Sequence, residues 1–282
     1  MKLGVVIPTL DEADAVEAAL QSIVGQGPGD GVSESAGHGS IREEPVEIEI
    51  VVVDGGSVDD TCQRARSWRS GMTVEAPFAA RAEPDPTRSL AVSRPSAARP
   101  CGARVLELPR QPHAGRARQL QAGFEACDGD AVLFLHADTR LPEGWPAAVC
   151  RALADPGVVG GAFRFRFDRV GRPSFGLRVV EWGARLRSAW FGLPYGDQAI
   201  FVRRRVLDAI GGVPQAVLME DLDLVRAMKR RGRLARLAAP ATTSSRRYRE
   251  QGVLRTFLRN LVALVAWRLG VDRGRVAAWY RS

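Results

Sequence analysis

The chain reads as an α/β fold with a mainly parallel sheet flanked by helices. Two observations carry that reading. Short apolar runs bounded by turn residues alternate with segments whose apolar residues recur at helical spacing. Three of the runs end in acids, at Asp11-Glu12, Asp54 and Asp138. In open α/β sheets, ligands bind just beyond the carboxyl ends of the strands.

The elements follow in order. Residues 3–9 (Leu-Gly-Val-Val-Ile-Pro-Thr) form a first strand. Val16, Ala19, Leu20 and Ile23 then mark one face of a helix whose first turn is acidic, as the helix dipole favours. Residues 27–45 are rich in Gly, Ser and Glu and read as a flexible insert. Residues 46–54 alternate and then become continuously apolar, the pattern of a strand entering the core. Gly55-Gly56 permits a tight turn, and Asp59 or Asp60 can cap the helix that runs on through Trp68. Residues 70–102, rich in Pro, Ala and Arg, read as a second surface insert. Residues 104–108 are a strand, 109–115 a loop and 116–126 a helix with Ala117, Leu120, Gln121 and Phe124 on one side. The run Val132-Leu133-Phe134-Leu135 is wholly apolar between turn signals, so it is a strand buried on both faces, and it delivers His136 and Asp138. Beyond it come a helix at 145–153, a strand at 158–167, a helix at 175–191, a strand at 199–202 and helices at 206–210 and 221–231. Residues 1–250 read as one domain, and 251–282 as an amphipathic helical extension.

Composition narrows the class. The 282 residues are 45% hydrophobic and 26% charged, which is ordinary for a globular chain. The apolar run at the N-terminus is too short for a signal peptide, and no apolar stretch reaches the roughly 18 residues of a membrane span. Cys62, Cys101, Cys127 and Cys150 form no metal or redox spacing and read as reduced cysteines of a cytoplasmic protein. Net charge is +8, unevenly placed: residues 226–281 hold 15 basic against 2 acidic side chains, so the remainder is net negative. Such a segment suits an anionic partner or a solvated face.

Carboxylates that converge on one sheet edge repel each other and are tolerated where something positive or hydrogen-bond-donating sits among them. A nucleotide base, a ribose or a divalent cation would serve.

The stretches Val5–Glu12, Val51–Ser57 and Leu133–Asp138 resemble family 2 glycosyltransferases of the GT-A fold. Gly115–Gln119, Tyr195–Gln198 and Met219–Leu224 narrow the resemblance to a bacterial subgroup, some members of which are associated with arsenosugar biosynthesis. The resemblance implies a Rossmann-like GT-A sheet and inverting, metal-dependent transfer of a sugar from a nucleoside diphosphate sugar, UDP-linked by preference, to a hydroxyl acceptor. That acceptor would be a small molecule or a lipid. Pro8, Thr9, Asp11, Glu12, Asp54, Gly55, Ser57, Gln119, His136 and Ala137 would line the donor nucleotide site, with Asp54 accepting a base N–H. Arg116 and Arg118 would face the diphosphate. Asp138 would hold Mg²⁺ or Mn²⁺. Where the family's usual motif is Asp-x-Asp, this chain has His136-Ala137-Asp138. Neutral imidazole ligates Mn²⁺ and suits Mg²⁺ poorly, so His136 reads as a second ligand or as a strand-end hydrogen bond. Asp221, beside Glu220, would deprotonate the acceptor, the alternative being a helix cap. Gly196, Asp197 and Gln198 would position the acceptor or simply form a turn. Arg246 and Arg247 would close over the donor diphosphate or face solvent.

Residues 253–282 place apolar and arginine side chains at helical spacing, which suits the inner face of a membrane, the catalytic domain or a second subunit in a homodimer. Two other functions compete. A sugar nucleotidyltransferase would carry a glycine-rich basic loop after the first strand, where this chain has glycine-free, acidic Pro8–Glu12. A polyanion-binding module would use the basic tail but leaves the strand-end acids unexplained, and nucleic acid is not expected as a partner.

Overall fold

The computed structural model describes residues 1–24, 46–74, 99–110, 115–168, 170, 175–190, 194 and 196–281. The whole 27–45 insert, the middle of the 70–102 insert and Tyr195 lie outside the described residues. The chain runs β1 (Lys2–Thr9), α1 (Val16–Val24), β2 (Glu47–Asp54), α2 (Thr61–Ser67), β3 (Arg69–Val74), β4 (Arg99–Gly102), β5 (Arg104–Glu107), α3 (Gly115–Ala126), β6 (Ala131–Phe134), β7 (Thr139–Arg140) and α4 (Trp145–Leu153). It continues through β8 (Val158–Phe167), α5 (Phe175–Trp190), β9 (Ile200–Arg203), α6 (Arg204–Ile210), α7 (Glu220–Lys229), β10 (Arg233–Thr243), α8 (Arg246–Gln251), α9 (Val253–Arg268) and α10 (Arg273–Arg281).

One sheet has the order β5-β2-β1-β6-β9-β8-β10-β7. Its first half is parallel, as the alternating strands and helices require. Its second half is mixed. β9 runs antiparallel to β6 and β8, and β7 antiparallel to β10. The register sets Thr9 beside Asp54 and Asp54 beside Glu107, so the strand-end acids share one edge.

The sheet is covered on both faces. Val5, Ile7, Val52 and Leu133 point into a layer with Leu20, Ile23 and Trp145. Val6, Val51, Val132 and Phe134 point into the opposite layer with Phe124 and Leu224. Burial on both faces is why these strands are continuously apolar. α3 lies so close to the sheet that a Cβ on Gly123 would stand 2.2 Å from Val6 Cγ1 and 3.1 Å from Val53 Cγ2. Gly→Ala inside a helix normally stabilises by roughly 0.5–1 kcal/mol. Here the overlap reverses the sign, and Gly123→Ala is expected to destabilise by about 1–2 kcal/mol in urea titration.

The sheet is mainly parallel, as expected, with four parallel strand pairs against three antiparallel ones among the described residues. Two features of the chain went unread. β10 was not read from the sequence, because Arg233 and Arg236 interrupt its apolar residues and Pro240 falls where its pairing with β8 shifts register. The ends of the second insert are not surface coil, since β3 and β4 pair antiparallel there.

The C-terminal segment forms helices α9 and α10 and docks on the domain. Asp223 of α7 accepts hydrogen bonds from Trp267 Nε1 at 3.0 Å and from both terminal nitrogens of Arg273 at 2.7 and 3.0 Å. Among the described residues no helix is long and apolar enough to cross a membrane.

Candidate active site

The parallel strands β1, β2 and β6 end together and deliver three short segments to one edge. After β2, Asp54 anchors the turn. Its carboxylate accepts from the Gly56 and Ser57 amides at 2.8 Å each, from Ser57 Oγ at 2.5 Å and from Thr9 Oγ1 at 3.1 Å. Those donors hold the Asp54 carboxyl below its usual range against the opposing effect of burial. A carboxylate has about four acceptor positions, and Asp54 is 1% exposed. It therefore orders the loop, and the expected contact with a base N–H finds no open oxygen.

Gln119 is a framework residue too. Its Nε2 donates to the carbonyls of Thr9 at 2.6 Å and Val53 at 2.8 Å, tying β1 to β2 where their ladder ends. Thr9, Gln119 and Ala137 are buried, as are Pro8 and Gly55. These five are buried at the edge where the donor nucleotide is expected.

Asp11 and Glu12 do face outward. Asp11 sits at φ 55°, in the left-handed region that aspartate tolerates better than most residues. Its carboxylate accepts from the Val58 amide at 2.9 Å and pairs with Arg110 at 3.0 Å. Arg110 also reaches the Gly56 carbonyl at 3.4 Å. Nothing marks Arg110 in the sequence beyond its being a basic residue in a loop. Ser57 Oγ accepts the Asp11 amide at 2.9 Å, so that loop and the one after β1 brace each other.

A second cluster forms around Arg116, at the start of α3. Its Nε donates to the carboxylate of Glu220, which is 3% exposed. Glu220, followed by Asp221 and Asp197, keeps the guanidinium firmly charged. Asp221, the second residue of α7, is not its N-cap. Its Oδ1 accepts the Leu222 amide at 2.8 Å, and its Oδ2 crosses to the Gly196 amide at 2.7 Å. Burial, then the neighbouring Glu220 charge, pushes the Asp221 carboxyl up, while Arg116 pulls it down. A carboxylate so placed is a proton acceptor held in a fixed orientation.

His136 lies against the same turn. A Cβ on Gly196 would stand 2.6 Å from His136 Nε2 and 3.4 Å from Asp221 Oδ2, so only glycine fits there. Burial, aided by Arg116, drives the imidazole down to about 3 and keeps it neutral. Asp138 is pushed up by burial, with the Thr139 hydroxyl the main opposing group and Arg246 and Arg116 further ones. Glu12 is pushed up by burial and then by the Asp138 charge. Arg246, from α8, pairs with Glu12 at 3.2 Å across 234 residues of chain.

Arg246 thus joins the edge. Arg247 does not, since its guanidinium stacks over the Tyr280 ring at 5.2 Å, which corrects its assignment to the diphosphate. Arg118 is exposed on α3. Gln198 is buried at 2% exposure, and Asp197 is fixed through its carbonyl, which accepts from Thr243 Oγ1 at 3.0 Å. Thr243 belongs to β10 and its role was hidden with that strand.

Among the described residues, Asp11, Ala199 and Met219 are the non-glycine residues at positive φ. Each borders the site: after β1, after the Gly196–Gln198 turn and immediately before Glu220. Backbone strain of this kind gathers at functional sites. Among the described residues no group of three or more His, Cys, Asp or Glu side chains is arranged to hold a metal.

Residues 82–211 match the family model described as glycosyl transferase family 2. An uncharacterized protein of Mycobacterium tuberculosis, MT1568, is 28% identical over 302 aligned positions, covering 98% of this chain and 75% of that protein. Among solved structures, Staphylococcus aureus TarS 1-349 in complex with UDP-GlcNAc superposes with a TM-score of 0.55 at 15% identity, covering 86% of this chain. The chain spans 58% of that TarS chain's length. Glucosyl-3-phosphoglycerate synthase from M. tuberculosis, in complex with Mn²⁺, UDP and glucosyl-3-phosphoglycerate, superposes at 0.53 and 20% identity over 96% of this chain and 81% of that one. These likenesses establish a shared GT-A architecture.

Proposed function

We propose that this chain, whose residues 82–211 match the family model of glycosyl transferase family 2, transfers a sugar from a nucleoside diphosphate sugar to a hydroxyl acceptor with inversion. The observation that carries the reading is the placement of Arg116. Its guanidinium donates to Glu220, and its charge acts on both Asp221 and Asp138. A donor diphosphate needs a cation, and an acceptor hydroxyl needs a base. Arg116 is coupled to the residues suited to each.

The reaction follows from these positions. Asp221 takes the proton of the acceptor hydroxyl as its oxygen attacks the anomeric carbon. The bond from that carbon to the diphosphate oxygen breaks, and the nucleoside diphosphate leaves with the bonding electrons. Gly196 N–H keeps the Asp221 carboxylate aimed, and Arg116 favours its charged form. Asp11, Glu12 and Ser57 present the polar groups for the nucleoside, and Arg116 and Arg246 meet the diphosphate. Asp197, beside Gly196, borders the acceptor.

The donor set fits a divalent cation bound jointly with the diphosphate. Burial pushes both Asp138 and Glu12 toward protonation, and the Asp138 charge adds to the effect at Glu12, so a cation bound at this edge would favour their charged forms. Mg²⁺ commonly takes only one or two protein carboxylates plus substrate phosphates, which agrees with the lack of a three-ligand cluster among the described residues. Asp138 would hold the ion, with neutral His136 available to Mn²⁺. Bound there, the ion would offset charge on the leaving diphosphate.

Calorimetric titration with UDP, GDP, UDP-glucose and GDP-mannose tests this, each with Mn²⁺, with Mg²⁺ and with EDTA. One nucleotide is expected to bind at micromolar Kd, with at least a tenfold loss in EDTA or on Asp138→Ala. Failure of all four under every condition removes the donor site.

The outer side of α9 supports peripheral contact with an anionic membrane. Leu254, Leu258 and Val262 are 69, 47 and 48% exposed, with Arg255 on the same helix. Co-sedimentation with phosphatidylglycerol vesicles is expected, falling severalfold on Leu258→Glu. A doubled mass in sedimentation velocity without vesicle binding would assign that face to a homodimer instead.

A further inference from the structure

A cavity of about 810 Å³ is lined in part by Asp197, next in the chain to the Gly196 that holds the candidate base. Most of its wall comes from α5, α7 and α9. Phe257, Leu261 and Leu264 form one stripe of α9, at i, i+4 and i+7. Val180, Gly183 and Ala184 of α5 face them, small enough to leave the space open. A Cβ on Gly183 would meet nothing within 4 Å. Asp197 and Tyr248 supply polar atoms, and Asp197 adjoins Gly196, whose amide holds Asp221. On the α7 side the lining turns basic, with Arg226, Lys229 and Arg230, joined by Arg268 at the end of α9. α7 is the helix that carries Glu220 and Asp221.

We propose that this cavity takes the acceptor, and that the acceptor is an anionic amphiphile. Its apolar body lies between α5 and α9, its negative group meets the Arg226, Lys229, Arg230 and Arg268 rim, and its hydroxyl reaches past Asp197 to Asp221. The proposal rests on the transferase reading and adds the acceptor's chemical class. Size and lining agree with a site for a small molecule, which is usually apolar with a few placed polar groups within roughly 300–1,000 Å³. The charge selects within that class. Four cations border the apolar walls, so an anionic chain molecule gains at the rim where a cationic one is repelled. Asp197, itself negative, disfavours an anion at the inner end and leaves that end to a hydroxyl.

The test uses the full chain and four probes below their micelle concentrations: dodecyl phosphate, dodecyl maltoside, dodecyltrimethylammonium and inorganic phosphate. Calorimetry is expected to show saturable one-to-one binding of dodecyl phosphate. Dodecyl maltoside and dodecyltrimethylammonium should bind at least tenfold more weakly, and inorganic phosphate should not bind. Gly183→Phe, which fills the space, should weaken dodecyl phosphate at least tenfold, and Gly183→Ala should change it less than twofold. Arg230→Glu should narrow the preference for the anion. Nucleotide binding is measured on the same samples and should match wild type in both Gly183 variants. If Gly183→Phe loses nucleotide binding, Leu264→Trp replaces it as the filling variant. The proposal is overturned if dodecyl phosphate does not saturate, if all three alkyl probes bind alike, or if a filling variant with intact nucleotide binding holds dodecyl phosphate as wild type does. Loss of nucleotide binding in the wild-type protein would instead overturn the transferase reading, so the two failures are distinct.

Discussion

Asp221→Asn yields a folded protein that binds nucleotide normally and transfers sugar about 10²–10⁴-fold more slowly. The amide keeps the shape of the carboxylate, and its oxygen still accepts the Gly196 amide that holds Oδ2 at 2.7 Å, at the cost of the Leu222 amide's bond to Oδ1. What it cannot do is take a proton. Single-turnover rates with saturating donor, compared with nucleotide Kd by calorimetry, separate the two. A variant that keeps wild-type turnover would remove Asp221 from the chemistry and leave it a helix-end ligand for Gly196.

Arg116→Met should damage both stability and rate. Glu220, 3% exposed, would lose its counter-ion. Breaking a fully buried pair costs about 3–5 kcal/mol. The Arg116 side chain is 42% exposed, so water offsets part of the loss, and about 1–2 kcal/mol is expected from thermal unfolding. The rate should fall further than stability explains. Arg116 opposes the two influences, burial and Glu220, that raise the Asp221 carboxyl. Without it that carboxyl rises, and a larger fraction is protonated at any given acidic pH. The acid limb of the rate profile should therefore move to higher pH. An unmoved limb would show that Arg116 acts on the donor alone.

Much of this arrangement was legible in the sequence, and the physical reason is burial. β1, β2 and β6 are covered on both faces, so their runs are apolar without alternation and stand out. Their terminal acids were legible because charge at the end of such a run needs a reason. What could not be read is how far each acid is already satisfied. Asp54 looks like Asp138 in sequence, yet one closes its own turn with four donors while the other sits beside Glu12 at the open edge. Gln119 was expected at the donor because it belongs to the Gly115–Gln119 stretch that resembles the family. Three-dimensional closeness makes it the partner of two carbonyls that lie 44 residues apart in the chain. β10 escaped because a half-buried strand with arginines and a proline has no clean period, and Thr243 was lost with it.

The long-range ties carry a consequence for how the protein is made. Arg246 reaches back 234 residues to Glu12, and Arg273 reaches back 50 residues to Asp223, two positions after Asp221. During synthesis the parallel half of the sheet can assemble as its strands emerge. The helix bearing Asp221 is held by core packing and by Gly196 first, and receives its last tie, at Asp223, only when Arg273 has left the ribosome. A chain still attached to its ribosome would therefore hold the nucleotide-facing loops and the base before this C-terminal tie is made.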